Sequence, residues 1–123
     1  MIGIEEVVKI HEILIERFGG SNGIRDISLL SSAINRPFQF FNGEELYPSA
    51  LEKAAAIIES IVLNHPFIDG NKRTGYVLMR MLLLENGFDI SATQDEKYDF
   101  VCDIADGTIK IEEIKDWIKN HIQ

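Results

Sequence analysis

From Ile4 to Phe18 the apolar residues return every three or four positions: Ile4, Val7, Val8, Ile10, Leu14, Ile15 and Phe18, with His11 on the same stripe. That spacing predicts a helix over about 4–18 with one face turned inward. Gly19-Gly20 supplies its stop, because glycine accepts the left-handed backbone of a helix end. Asp26 can cap a short helix that reaches about Asn35, with Leu29, Leu30, Ala33 and Ile34 inward. Pro37 forces an end there, since the residue before a proline is pushed out of the helical region. Residues 37–47, PFQFFNGEELY, break the period, and their aromatics, Asn-Gly pair and two acids predict a short hairpin or flap.

The helical period resumes from Ser49 to about Asn64 through Leu51, Ala54, Ala55, Ile58, Ile61 and Val62, with Pro48 and Ser49 as starters. The loop PFIDGN separates it from the most apolar segment, about 71–86. Only Arg80 is charged between Tyr76 and Leu84, which predicts a helix buried on most sides and ended by Asn86-Gly87. Two more helices are expected over about 94–105 and 108–121, the second with Thr108 as its cap. No strand alternation is sustained anywhere. The pattern as a whole predicts one all-α domain over residues 1–123, of about six helices with one short hairpin, and without repeats or linkers.

Charge narrows the function. The 123 residues carry 12 Lys and Arg against 20 Asp and Glu, a formal net charge of −8. That sign argues against direct nucleic-acid binding, which needs a basic face to neutralise phosphates. Cys102 is the single cysteine; it excludes an intramolecular disulfide and a cysteine zinc cluster, and beside Phe100, Val101 and Ile104 it reads as a packing thiol. No apolar run approaches the roughly 18 residues of a membrane span. Glu5 and Glu6 stand where a secretory leader would be basic. The expectation is a soluble cytoplasmic protein with no membrane partner.

One stretch concentrates chemistry: His65-Pro66-Phe67-Ile68-Asp69-Gly70-Asn71-Lys72-Arg73-Thr74-Gly75. It joins two apolar helices, so its reactive groups lie on a loop that a packed scaffold can fix. Gly70 and Asn71 open the second helix, whose first N–H groups lack internal partners and, with the helix dipole, favour an anion. Lys72 and Arg73 in that first turn oppose the dipole, which makes sense if a polyanion lies over it. Asp69 is a hard carboxylate suited to Mg²⁺ beside phosphate oxygens. His65, with an ordinary pKa near 6.5, can serve as a general base. Base, metal carboxylate and anion cradle are the minimum for phosphoryl or nucleotidyl transfer. The spacing is not a Walker A loop, because Asn71 rather than Gly precedes the Lys.

Blander roles stand beside these. His65 before Pro66 can end a helix, Asp69 can cap the next one, and Arg73 can pair with an acid. Arg80 reads as an ion-pair partner, and His121 as a cation suited to a helix C-terminus. His11-Glu12 starts like a zincin motif, but Ile15 stands where the second His belongs. Phe38, Phe40 and Phe41 fit either a core or an exposed patch.

The run HPFIDGNKRTG resembles the signature of the Fic/Doc family, H-x-F-x-[D/E]-G-N-x-R, and Lys72 between Asn71 and Arg73 is similar to the Doc (death on curing) branch. The segments ERFGG, GIRD and AINRP extend the likeness toward the N-terminus. The resemblance implies a toxin that uses ATP and Mg²⁺ to phosphorylate a Ser or Thr hydroxyl of a translation factor such as elongation factor Tu. His65 would be the base, Asp69 would hold Mg²⁺, and Gly70, Asn71, Lys72 and Arg73 would bind the phosphates. Phe67 would anchor the loop. Phe38, Gln39, Phe40 and Phe41 would belong to a flap that docks the target by strand pairing. AMP-transferring Fic proteins usually have Gly at the Lys72 position and a second Arg three residues past the Arg73 position, where Tyr76 stands. The inhibitory motif [S/T]-x-x-x-E-[G/N] is approached by Thr108-x-x-x-Glu112-Glu113 and fails at its last position. A separate Phd-type antitoxin is therefore expected. AMP transfer and a catalytically idle binding module are the alternatives.

Overall fold

The computed structural model describes residues 2–123. Among them are α1 (Ile4–Phe18), α2 (Ile27–Asn35), a 3-10 turn (Arg36–Phe38), the strands β1 (Phe40–Phe41) and β2 (Glu44–Glu45), then α3 (Ala50–Asn64), α4 (Asn71–Glu85), α5 (Gln94–Ala105) and α6 (Ile111–His121). Among the described residues, six helices and one two-stranded hairpin make an all-α arrangement, as the periodicity predicts, and a Fic-like one, as the resemblance implies. No described helix is long and apolar enough to cross a membrane.

The most enclosed helix is α3, not α4 as expected, and α3 is also the more apolar of the two. Every residue from Ala54 to Val62 is buried, Glu59 and Ser60 included, because α2, the 3-10 turn, α4, α5 and α6 all pack on it. Three consecutive alanines, Ala54 to Ala56, present little bulk to those neighbours. Arg36 makes the buried polar residues tolerable: its Nη1 donates to Glu59 Oε1 at 2.8 Å and to Ser60 Oγ at 2.9 Å, while Nε donates to Tyr47 Oη at 3.0 Å. In contrast α4 buries Asn71, Thr74, Gly75, Leu78, Met79, Leu82 and Leu83 and leaves Lys72, Arg73 and Arg80 in solvent.

Local signals explain most boundaries. Asp26 accepts from the N–H groups of Ser28 and Leu29, and Ser49 accepts from that of Glu52. Thr93 and Glu96 form a reciprocal capping box at the start of α5. Thr108 is no helix cap. Its N–H and hydroxyl both turn back to the Asp106 carboxylate, so the chain spends Thr108 on a turn around Gly107 and α6 starts at Ile111. Glu113 then reaches back to the Lys110 N–H at 2.9 Å.

The hairpin is shorter than the irregular stretch that announced it. Phe40 pairs with Glu45 and Phe41 with Glu44, across Asn42 (φ 51°) and Gly43 (φ 80°), the positive-φ pair of a type I′ turn. Phe38 lies outside it, in the 3-10 turn, and packs half-buried against the core: contrary to the expectation for a residue before proline, Arg36 keeps helical angles (φ −52°, ψ −45°), so the chain runs on for one 3-10 turn. Phe40 and Phe41 are 65% and 66% exposed. Phe18 is also outside the core, 58% exposed, since it sits on the last turn of α1 beyond the helices that cover the stripe.

At the far end of α4, Arg80 Nε and Nη2 donate to Asp89 Oδ1 and Oδ2 at 2.7 and 2.9 Å. This fork and the Ile90 N–H lower the Asp89 carboxyl to about 2. A depressed carboxylate stabilises the fold above its unfolded pKa, near 3.9, and that contribution disappears as pH falls through the folded value. The melting-temperature gap between the native protein and Asp89→Asn should therefore stay constant from neutral pH down to about pH 5. Toward pH 2 it should close; a gap that widens in acid would show that the pair does not behave this way.

Candidate active site

His65 ends α3 with φ 49° and ψ 55°. Pro66 dictates that the helix ends, since its ring disfavours a helical His65 and it has no N–H to continue the ladder, but it does not select the left-handed form. A left-handed non-glycine residue costs roughly 1–2 kcal/mol, so neighbours must hold it. The segment before α2 does so. The N–H groups of Arg25 and Asp26 donate to the Pro66 carbonyl at 2.7 and 3.1 Å, and that of Ile68 donates to the Gly23 carbonyl at 3.1 Å. Ile24 and Phe67 form an antiparallel bridge. The Arg25 guanidinium donates from Nε to the His65 carbonyl at 2.6 Å and from Nη2 to the Asn64 carbonyl at 2.7 Å.

Inside the loop, Asn71 works as a second brace. Its Oδ1 accepts from the Phe67 N–H at 3.0 Å and its Nδ2 donates to the Phe67 carbonyl at 2.9 Å. Those two bonds fix the amide orientation, so an NH₂ group faces His65 Nδ1 at 3.4 Å. That distance is long for a hydrogen bond; it orients the ring without deciding its tautomer. Phe67 is 1% exposed, the anchor expected of it. A third brace comes from α1. His11, 1% exposed, stacks on the Phe67 ring at 3.8 Å, and its Nε2 meets the Asp69 carbonyl at 2.7 Å. His11 carries no metal motif; its polar edge completes the loop while its face fills the core.

Asp69 is exposed, yet its carboxylate is bound on both oxygens: Oδ2 accepts from the Ser21 N–H at 3.1 Å and Oδ1 from the Gly70 N–H at 2.9 Å. These bonds, with the nearby charges of His11 and Arg73, hold the carboxyl below its ordinary range, so it is ionised at neutral pH. Gly20 makes the approach possible: a Cβ there would come 2.7 Å from Asp69 Oδ2. The Gly19-Gly20 pair thus seats a carboxylate as well as stopping α1. Asp69 does not cap α4. The cap position is Gly70, left-handed at φ 77°, and no side chain occupies the helix end.

Arg73 makes no ion pair; its guanidinium lies 4.3 Å from the centre of the Phe18 ring. Lys72 is exposed in the same turn. Together these residues line one end of an open groove of about 750 Å³. Tyr76, Lys97, Tyr98 and Cys102 line the other end, so Cys102, half-buried, faces a groove rather than the core. The groove gathers Lys72, Arg73, Arg80 and Lys97 in an otherwise acidic protein, which suits an anionic ligand. Among the described residues no three His, Cys, Asp or Glu side chains could hold a metal by themselves. Asp69 fits a hard cation such as Mg²⁺ that takes one protein carboxylate and completes its shell with phosphate oxygens and water. Phe40, Phe41 and Gln39 belong to the separate hairpin, tied to α3 where Lys53 bonds Glu45 and the Tyr47 carbonyl.

Sequence reasoning missed Arg25 and His11 as parts of this loop. The signal for both was present only as residue type: a histidine on an apolar stripe, and a cation just before a helix cap. Neither spacing names a partner 40 or 58 residues away.

Comparison with known proteins agrees with this geometry. The model of the Fic/DOC family matches residues 2–83. A protein named toxin Doc from Mycolicibacterium smegmatis is 40% identical over 78 residues, 63% of this chain and 60% of that one. Less than two thirds of that relative is therefore spanned. The protein kinase doc of Escherichia phage P1 is 27% identical over 118 residues, 96% of this chain and 92% of the phage protein. With the family's signature seated between α3 and α4 and its model covering more than half of the sequence, the chain belongs to the Fic/DOC family.

Proposed function

We propose that this protein is a Doc-type toxin that transfers the γ-phosphoryl group of ATP to a Ser or Thr hydroxyl of a target protein. The observation that carries this reading is the juxtaposition at the start of α4. A general base candidate, an ionised carboxylate, an uncapped helix N-terminus and two free cations converge on one groove. The relative named protein kinase doc supports a phosphoryl rather than a nucleotidyl transfer, as does Lys72 in place of the Gly usual in AMP-transferring members.

In this mechanism the phosphates lie over the first turn of α4. The N–H groups from Asn71 to Arg73 and the side chains of Lys72 and Arg73 face their charge, Gly70 lets the backbone approach, and Asn71 keeps the turn in shape. Asp69 would hold Mg²⁺, which would supply positive charge to offset that of the phosphates. His65 takes the proton as the acceptor oxygen attacks the γ-phosphorus; the bond to the bridging oxygen breaks and ADP leaves. Exposed Phe40 and Phe41, with Gln39 at the base of the hairpin, offer an edge for an extended stretch of the target. The target we propose is a translation factor such as elongation factor Tu, met in the cytoplasm, and the restraint a separate Phd-type antitoxin.

The test uses ATP labelled in parallel at the γ or α phosphate, with purified elongation factor Tu and a cell lysate as acceptors. Label arriving from γ alone supports the kinase; label from α means AMP transfer; no label and no binding of an ATP analogue means an idle module. His65→Ala should lose about 10²–10⁴-fold in transfer rate with its melting temperature and nucleotide affinity kept. His65→Gly, which accepts the left-handed turn without strain, should lose as much. A variant of either kind that still labels its target removes His65 from the role.

Asn71→Ala leaves the buried N–H and carbonyl of Phe67 without partners, a penalty of about 1–3 kcal/mol for each unsatisfied group. Hydrogen exchange at the Phe67 amide should accelerate together with a fall in transfer. An amide protected as in the native protein would mean that the loop does not depend on this side chain.

A further inference from the structure

The end of α3 poses a problem that its own residues do not solve. A helix that stops on a left-handed residue is ordinarily closed by the N–H of the residue after it, which returns to a carbonyl of the last turn. Here that residue is Pro66, which has no N–H. Arg25, 39 and 40 residues away, closes the helix end in another way, at the two carbonyls that lead into Pro66: its Nη2 donates to the Asn64 carbonyl at 2.7 Å and its Nε to the His65 carbonyl at 2.6 Å. One planar guanidinium thereby spans two successive carbonyls, and its charge meets the negative end of the α3 dipole.

Arg25 is itself held at both ends. Its own N–H and that of Asp26 donate to the Pro66 carbonyl, and Asp26 caps α2 through the N–H groups of Ser28 and Leu29. Backbone and side chain of one residue thus grip the chain on either side of the His65–Pro66 bond. The imidazole has little else to orient it: among the described residues its hydrogen-bond neighbour is Asn71, at 3.4 Å.

We propose that Arg25 is a positioning residue for the transfer reaction, which holds the Asn64 and His65 carbonyls where the helix lacks its usual closing N–H and so keeps His65 in the left-handed conformation that aims its imidazole at the acceptor hydroxyl. The proposal rests on His65 being the base. It assigns Arg25 a role in the chemical step and none in nucleotide binding, because the phosphate-facing residues stand on α4.

The experiment compares the native protein with Arg25→Ala and Arg25→Lys. Lysine keeps the charge but cannot place two parallel donors on two carbonyls. Arg25→Ala should lower the turnover number by about 10²-fold on the acceptor labelled in the assay above, with affinity for Mg²⁺ and a non-hydrolysable ATP analogue little changed. Arg25→Lys should recover only a small part of the rate. Added guanidinium ion should raise the rate of Arg25→Ala and leave that of His65→Ala where it is. The His65 ring Cε1–H resonance, read by NMR without nucleotide or acceptor, should shift or broaden in Arg25→Ala.

Native turnover in Arg25→Ala, an unmoved His65 resonance, or a rate loss fully explained by the fraction of unfolded protein would overturn the proposal. If the native protein transfers nothing from ATP, the kinase reading fails instead. The His65 resonance then decides alone whether Arg25 sets that side chain.

Discussion

The close approach of α3 and α4 is the constraint on which the rest depends. Gly75 allows it: a Cβ at that position would stand 3.1 Å from Val62 Cγ2 and 3.5 Å from the Ile58 carbonyl oxygen. With the two helices pressed backbone to side chain, residues 65–70 have to turn the chain within a short span. A turn that tight between two buried helices cannot wander. This is why an exposed histidine and an exposed carboxylate can be held in place although neither is buried.

The loop is braced from three directions by groups that also serve the core or a helix end. His11 stacks on Phe67 and bonds the Asp69 carbonyl. Asn71 satisfies both polar groups of the Phe67 backbone, and Arg25 with its neighbours grips the chain from Asn64 to Pro66. Each brace pairs backbone groups of the loop; those of Phe67 are buried, where an unpaired group is costly. The proposed function and the fold thus draw on the same bonds: the groups that order the loop also set where His65, the Asp69 carboxylate and the first-turn cations stand.

Charge follows the same economy. The chain is acidic overall, yet its cations gather along the groove beside α4, and Arg73 finds an aromatic ring rather than an acid. A guanidinium resting on a ring face keeps its N–H groups for a ligand. Arg80 is the opposite case, committed to Asp89 through both of its bonds. The division between free and engaged cations separates the part of the groove fit to meet phosphates from the part that holds α4 to the following loop.

By itself the sequence determined the all-α architecture, the helix boundaries marked by Asp26, Ser49, Pro66 and Asn86-Gly87, and the family signature from His65 to Arg73 on which the proposed chemistry rests. Those features are local: periodicity, caps and proline act within a few residues, and their meaning does not depend on distant partners. Tertiary structure decided what depends on packing across the chain. It surrounded α3, the more apolar of the two long central helices, with α2, the 3-10 turn, α4, α5 and α6, an arrangement of neighbours that no local period states. It put Phe18 under Arg73, Phe38 in the core's margin and Cys102 on the groove. It tied Thr108 to Asp106, so that α6 starts three residues later than its composition suggests. And it brought Arg25 and His11 to the loop, since a long-range hydrogen bond leaves no period in the sequence and is created only when the helices that carry its two ends have packed.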